Sequence, residues 1–173
     1  MNEIYEAALK RRSIKKYKPD AVDIELIKRI CTAGIYAANG RNFQSPIVLA
    51  VTDKALRDRL SALNAKFLGK EDFDPFYGAP VVLVVLADKQ YPTYLYDGSL
   101  TMGNMMLAAY ELGLGSCWIH RAKEVFECDE GKAILRECGI EGDYEGIGNC
   151  IIGYADIETP DAPPRKGQRI FYV

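Results

Sequence analysis

Residues 79–87, APVVLVVLA, are nine apolar residues in a row. A strand with one wet face alternates polar and apolar side chains. This run does not alternate, so it predicts a strand covered on both faces. It is far too short to cross a bilayer as a helix. A chain built around such a strand must supply apolar helices to both sides of one sheet.

The rest of the sequence offers those helices. NEIYEAALKRR (2–12) reads as a first helix with Ile4, Ala8 and Leu9 on one face, ended by Lys18-Pro19. Asp23 is a candidate N-cap for a second helix, with Ile24, Ile27, Cys31 and Ile35 as its buried stripe, running out at Asn39-Gly40. IVLAV (47–51) reads as a buried strand. Asp53 caps a third helix carrying Leu56, Leu60, Leu63 and Phe67. After the loop GKEDFDPFYG (69–78) and the apolar strand, Asp97 is read as opening a long helix with Leu100, Leu107 and Leu112, stopped near Gly113 and Gly115. SCWI is a short strand, AKEVF and DEGKAILREC are helical, and IGNCIIGYA is the last core strand. The tail DIETPDAPPRKGQRIFYV holds three prolines and ends in RIFYV, a strand with no sheet nearby in sequence. Helices and strands mix without a regular βαβ rhythm. That predicts an α+β fold, with residues 1–173 as a single domain.

Composition narrows the function classes. The 173 residues carry a net charge of −2, which argues against a generally basic nucleic-acid coat. Five cysteines form no C-x-x-C pair, and His120 is the one histidine, so neither a metal site nor a disulfide framework is expected. Reduced thiols, no signal peptide and no membrane span predict a cytoplasmic protein without a membrane partner.

Against that acidic total stands LKRRSIKKYKPD (9–20), with Lys10, Arg11, Arg12, Lys15, Lys16 and Lys18 almost side by side. Three readings compete: cations complementing a helix C-terminus, a nucleic-acid contact, and a small phosphorylated ligand. The net charge and the absence of an aromatic platform count against nucleic acid as a partner. Arg11, Arg12 and Ser13 combine two guanidinium forks with a hydroxyl, a set suited to phosphate oxygens. AANGRNFQSP (37–46) then gathers Asn39, Gly40, Arg41, Asn42 and Gln44 between a helix and a strand. Its amides both donate and accept, as the edge of a heterocycle requires, although Asn-Gly is also a plain turn dipeptide. Arg165 and Lys166 follow two prolines as a second basic pair.

Taken in order, RRSIKKYK, the G-R-N-x-Q loop, DGSLTMGNMMLAAYELGLGSCWI and IIGYADIETPDAPPRK resemble the nitroreductase family of flavoproteins, its compact members in particular. The resemblance runs from about residue 4 to 170. It implies a mainly antiparallel sheet flanked by helices, a homodimer with two interfacial FMN sites, and a C-terminal strand exchanged onto the partner. It implies that Arg11, Arg12 and Ser13 hold the phosphate and the pyrimidine edge, with Lys15 reaching the isoalloxazine ring. Asn39–Gln44, with Asn42 and Gln44 foremost, come from the partner subunit, and Arg165 with Lys166 closes over the phosphate. Ser116, Cys117, Trp118 and Ile119 lie beside the ring and offer main-chain N–H groups.

The resemblance further implies an FMN-dependent oxidoreductase that takes a hydride from NADH or NADPH and passes it to nitroaromatic, quinone or similar acceptors by a ping-pong mechanism. The flavin carries the chemistry, so no side chain is assigned as catalytic. A flavin-binding redox sensor or carrier without NAD(P)H turnover is the alternative. The chain departs from the family in having Asn39 for a serine, Pro46 one residue late, and Lys15 for the usual arginine. It also lacks the helical insertion of larger members. The aromatic loop 69–78, with Phe73, Phe76 and Tyr77, is expected to take over part of that role.

Overall fold

A computed structural model describes residues 3–173. The order of elements is α1 (Glu3–Lys10), α2 (Ile24–Ile35), β1 (Pro46–Val51), α3 (Lys54–Leu68), β2 (Val81–Asp88), α4 (Tyr94–Glu111), β3 (Gly115–Ile119), α5 (Ala122–Glu127), α6 (Asp129–Glu137) and β4 (Tyr144–Gly153). The four strands form one antiparallel sheet in the order β1-β2-β4-β3.

The non-alternating strand β2 lies at the centre and divides its side chains between two cores. Val82, Val84 and Leu86 pack with Leu60, Leu63, Val125, Phe126 and Ile134 of α3, α5 and α6. Val81, Leu83 and Val85 pack with Ile27, Ile30, Met102, Met105 and Ala109 of α2 and α4. Each fully buried aliphatic side chain here contributes roughly 1.5–3 kcal/mol, which is why this strand tolerates no polar residue before Asp88. Close approach is enforced in the second core by Gly34. A Cβ there would sit 2.5 Å from Met105 Cγ.

Local signals fix the helix ends. Asp23 accepts from the Glu25 N–H and Asp53 from the Leu56 N–H, so both expected caps form. Gly69 ends α3 in the left-handed region at φ 73°. Asp97, however, is not a cap. The helix begins at Tyr94 after Thr93, which places Asp97 inside the first turn.

The expected faces also shift. On α1 it is Ala7 that is buried, whereas Ile4, Ala8 and Leu9 are exposed. Ile24, Ile35 and Leu100 are about half exposed, and the buried positions are Ile27, Ile30 and Gly34 on α2 and Met102 and Met105 on α4. Strand β1 is an edge strand, half-buried rather than buried. Ile170–Val173 are exposed and form no strand within the chain itself. No helix among the described residues is long and apolar enough to cross a membrane.

Candidate functional site

The basic segment does not continue α1. After Lys10 the chain becomes extended and runs beside the sheet, with Ile14 N–H donating to Ser116 O at 3.0 Å and Lys18 N–H to Tyr154 O at 2.9 Å. In an extended segment alternate side chains share a face. Ile14 is buried, so Ser13 and Lys15 both face outward, into a cavity of about 470 Å³. Cys117, Trp118 and Ile119 from β3 line the same cavity. Four of the expected site residues, Ser13, Lys15, Cys117 and Trp118, thus meet there, with Ile119 as a fifth. The Tyr17 phenol donates to Ile14 O at 2.7 Å, and burial pushes its pKa up.

Four side-chain polar atoms are buried without a hydrogen-bond partner among the described residues: Arg11 Nη1, Arg12 Nε, Ser116 Oγ and Trp118 Nε1. Buried polar atoms are ordinarily satisfied. All four belong to the two segments that the bridge between Ser13 and Ser116 brings side by side. Arg12 is otherwise engaged at the end of α1, where Nη2 donates to Leu9 O at 2.7 Å and Nη1 to Arg11 O.

The amide loop stands elsewhere. Asn39, Asn42 and Gln44 line a second cavity of about 630 Å³, against Ile35, Tyr36 and β1. Arg41, Asn42 and Gln44 all have left-handed φ angles, at 50°, 58° and 51°. For non-glycine residues that conformation is uncommon and is held only where surroundings impose it. Here Asp97 imposes it. Its buried carboxylate accepts from Gly40 N–H at 2.9 Å, Thr93 Oγ at 2.9 Å and Ser45 Oγ at 3.3 Å. The loop adds its own bonds, with Gln44 N–H donating to Asn39 Oδ1 and Gln44 Nε2 to Asn42 Oδ1, both at 3.0 Å. Phe43 stacks on Tyr91, with ring centroids 4.7 Å apart. Arg165 and Lys166 reach neither cavity. Both are exposed on the tail, and Arg165 donates to Pro163 O.

The first cavity has further walls, among them part of the aromatic loop expected to narrow the site. Loop 69–79 contributes Lys70, Phe73, Pro75 and Tyr77, while His120 and Arg121 follow β3. Phe76, in contrast, is fully buried and anchors the loop. Asp74 holds it in shape by accepting from Arg57 Nη2, Ser61 Oγ, Phe76 N–H and Gly78 N–H. Burial alone would raise the Asp74 pKa, but the guanidinium and these donors outweigh it and hold the carboxyl below its usual range.

Two buried amides set the backbone after β3. Asn64 Nδ2 donates to His120 O at 2.8 Å, and Asn149 Nδ2 to Ile119 O at 3.3 Å and His120 O at 3.4 Å. Arg121 Nε returns a bond to Asn64 Oδ1, and Arg121 sits at φ 72°. In a trans peptide the N–H points opposite to the C=O. With both carbonyls held toward the core amides, the N–H groups of His120 and Arg121 are directed away from those amides. His120 and Arg121, just beyond the expected Ser116–Ile119, thus also line the cavity. Nothing in the sequence singles out Asn64, which is one of three buried polar residues on α3 with Arg57 and Ser61.

The cysteines carry no visible redox pairing. Cys117 and Cys150 are buried, and desolvation pushes the Cys150 thiol up strongly and that of Cys31 up to about 11. Cys138 is exposed. Alkylation with iodoacetamide at neutral pH is expected to modify Cys138 first and Cys31 more slowly, with Cys150 reacting only on unfolding. Peptide mass spectrometry over a time course reads this order, and early labelling of Cys150 would contradict the packing.

The model of the nitroreductase family matches residues 8–154, most of the chain and both cavities. The chain belongs to the nitroreductase family. A relative from Archaeoglobus fulgidus, 30% identical over 142 residues, is covered over 76% of its length against 79% of this chain. One from Methanothermobacter thermautotrophicus, 27% identical over 120 residues, is covered over 60% of its length against 67% of this chain. Both carry the provisional name NADH dehydrogenase/NAD(P)H nitroreductase. Among solved structures, a nitroreductase with bound FMN from Desulfitobacterium hafniense superposes with a TM-score of 0.89 at 26% identity, covering 100% of this chain and 99% of that one.

Proposed function

We propose that this nitroreductase-family chain is an FMN-dependent oxidoreductase that draws reducing equivalents from NADH or NADPH, and that it works as a homodimer. The observation that carries the reading is the set of orphaned buried polar atoms on Arg11, Arg12, Ser116 and Trp118. Such a set fits a bound group rich in oxygen and nitrogen acceptors and donors, as FMN is. FMN supplies hydride acceptance from the nucleotide and hydride donation to the acceptor.

The chain's own residues position and polarise. Arg11 and Ser13 bind the phosphate end, with Arg12 bonded beside them to the last carbonyls of α1. Lys15 and the N–H groups of His120 and Arg121 face the ring, where negative charge collects on reduction, and oriented donors in a partly dry cavity stabilise that charge. A donor nucleotide and an acceptor that use one open face in turn give ping-pong kinetics and broad acceptor choice, nitroaromatics and quinones included.

The two half-sites explain the dimer. In one chain the Ser13–Lys15 cavity and the Asn39–Gln44 cavity have separate linings, so a complete site needs the loop of a second copy. Ile35, Tyr36, Tyr96 and Leu100 are exposed near that loop and on α4, and Phe171 and Tyr172 on the tail. Apolar surface of this extent favours burial between copies. The tail RIFYV then pairs with the partner, and Arg165 with Lys166 approaches the phosphate only in the dimer.

Titration of flavin-free protein with FMN, followed by quenching of flavin fluorescence, tests the placement. One FMN per chain is expected. Arg11→Ala is expected to weaken binding about tenfold or more, since a charge-assisted bond to phosphate is worth roughly 1.5–3 kcal/mol. An unchanged affinity would remove Arg11 from the site.

A further inference from the structure

Several cations of this chain are neutralised by neighbouring carboxylates, and others are not. Lys10 pairs with Glu6, Lys16 with Asp156, Lys89 with Asp143 and Lys123 with Glu145. Lys15, Lys70 and Arg121 have no carboxylate partner among the described residues. All three line the 470 Å³ cavity, His120 lines it too, and no Asp or Glu does. Lys15 stands over the Tyr77 ring at 5.5 Å, and Arg121 bonds only the neutral Asn64. Three uncompensated positive charges in one concavity, in a chain of net charge −2, form an attractive field for anions.

The loop that carries Lys70 also supplies aromatic rings. Phe73 and Tyr77 meet edge to face, with centroids 5.4 Å apart, and Phe73 is exposed toward solvent. With Lys15 given to the flavin ring, Lys70 of the loop and His120-Arg121 at the end of β3 remain at the rim. We propose that they bind the anionic group of the acceptor, so that the site selects planar aromatic substrates carrying a carboxylate or similar anion over their neutral counterparts. This rests on the flavin reading of the cavity and names the substrate class for it.

The holoprotein provides the test. Benzoate and its neutral isostere benzamide are titrated separately against the oxidised flavoprotein, and perturbation of the visible flavin band gives each Kd. Benzoate is expected to bind about tenfold tighter, the scale of one or two partly exposed charge contacts. The preference should shrink at high salt and approach unity in Lys70→Gln and in Lys70→Gln/Arg121→Gln. Lys70 is exposed and unpaired, so its single variant keeps the test valid if the double variant folds poorly. The ratio of kcat/KM for para-nitrobenzoate over para-nitrobenzamide should fall in parallel.

Equal affinities for benzoate and benzamide overturn the proposal. So does a loss of FMN affinity in Lys70→Gln as large as the loss for benzoate, which would give the cation to the cofactor. If the variants slow anaerobic reduction by NADH while keeping the benzoate preference, the cations read the nucleotide phosphates and the proposal also fails. A protein that takes up no FMN overturns the parent reading as well, whereas normal FMN uptake with no anion preference overturns this inference alone.

Discussion

Asp97→Ala is expected to destabilise the protein by about 3 kcal/mol and to weaken FMN binding at least tenfold, although Asp97 lines neither cavity. The substitution leaves the Gly40 N–H and the hydroxyls of Thr93 and Ser45 without their acceptor. Each buried group left unsatisfied costs about 1–3 kcal/mol, with part recovered as water enters at Gly40. Among the described residues no other hydrogen bond ties the start of the 39–45 loop to α4, and the left-handed residues Arg41, Asn42 and Gln44 would then relax. Asp97→Asn keeps an acceptor for Gly40 and is expected to lose about half as much. Urea unfolding of both variants, with FMN titration beside it, checks the order. Equal, small effects would mean that the loop holds itself.

Asp74→Ala is expected to cost about 2–4 kcal/mol and to collapse the aromatic wall of the first cavity. The change removes one of the two carboxylates on the nearly buried Arg57 guanidinium, which keeps Asp58 on Nη1 and Ala79 O on Nε. Breaking one side of such a pair typically costs about 3–5 kcal/mol when fully buried, and Asp74 is about one-third exposed, which lowers the figure. Phe76 and Gly78 lose their N–H acceptor at the same time.

The same carboxylate gives a pH dependence. Its folded-state pKa lies below the unfolded value of about 3.9. The stabilisation is therefore complete above that value and is lost as pH falls through the folded pKa. Acid unfolding of the wild type should begin near pH 4, and Asp74→Ala should flatten that part of the curve. An unaltered acid limb would assign it to other carboxylates.

Much of the architecture was legible because local signals and tertiary packing agree. The unbroken run 79–87 fixed a central strand, and Asp23 and Asp53 capped the helices that cover it. The signals that misled are of one kind. Asp97 looks like a cap because a polar residue before an apolar run usually is one, but Thr93 starts the helix and frees the carboxylate to hold a loop 57 residues away in sequence. Ile4, Leu9, Ile35 and Leu100 obey helical spacing yet face out, because periodicity marks an apolar stripe and not what covers it.

The site divides in the same way. Residue type points to Arg11, Arg12 and Ser13 as an anion-binding set, with a helix end and nucleic acid as rival readings, whereas Lys15 comes only from the family resemblance. Lys70, His120 and Arg121 could not be read from residue type, because their common property is a shared cavity with no carboxylate. That sharing depends on where the 69–79 loop folds back, which Asp74 and Arg57 decide.

The central claim is that the cavity beside Ser13 and Lys15 holds a flavin that a nicotinamide nucleotide reduces. Anaerobic mixing of the FMN-loaded protein with NADH or NADPH, followed by visible absorption, tests it most directly. The account predicts a flavin band that bleaches within seconds and returns on adding a quinone. A bound flavin that stays yellow under both nucleotides would contradict it, leaving a flavin-binding protein that is no reductase.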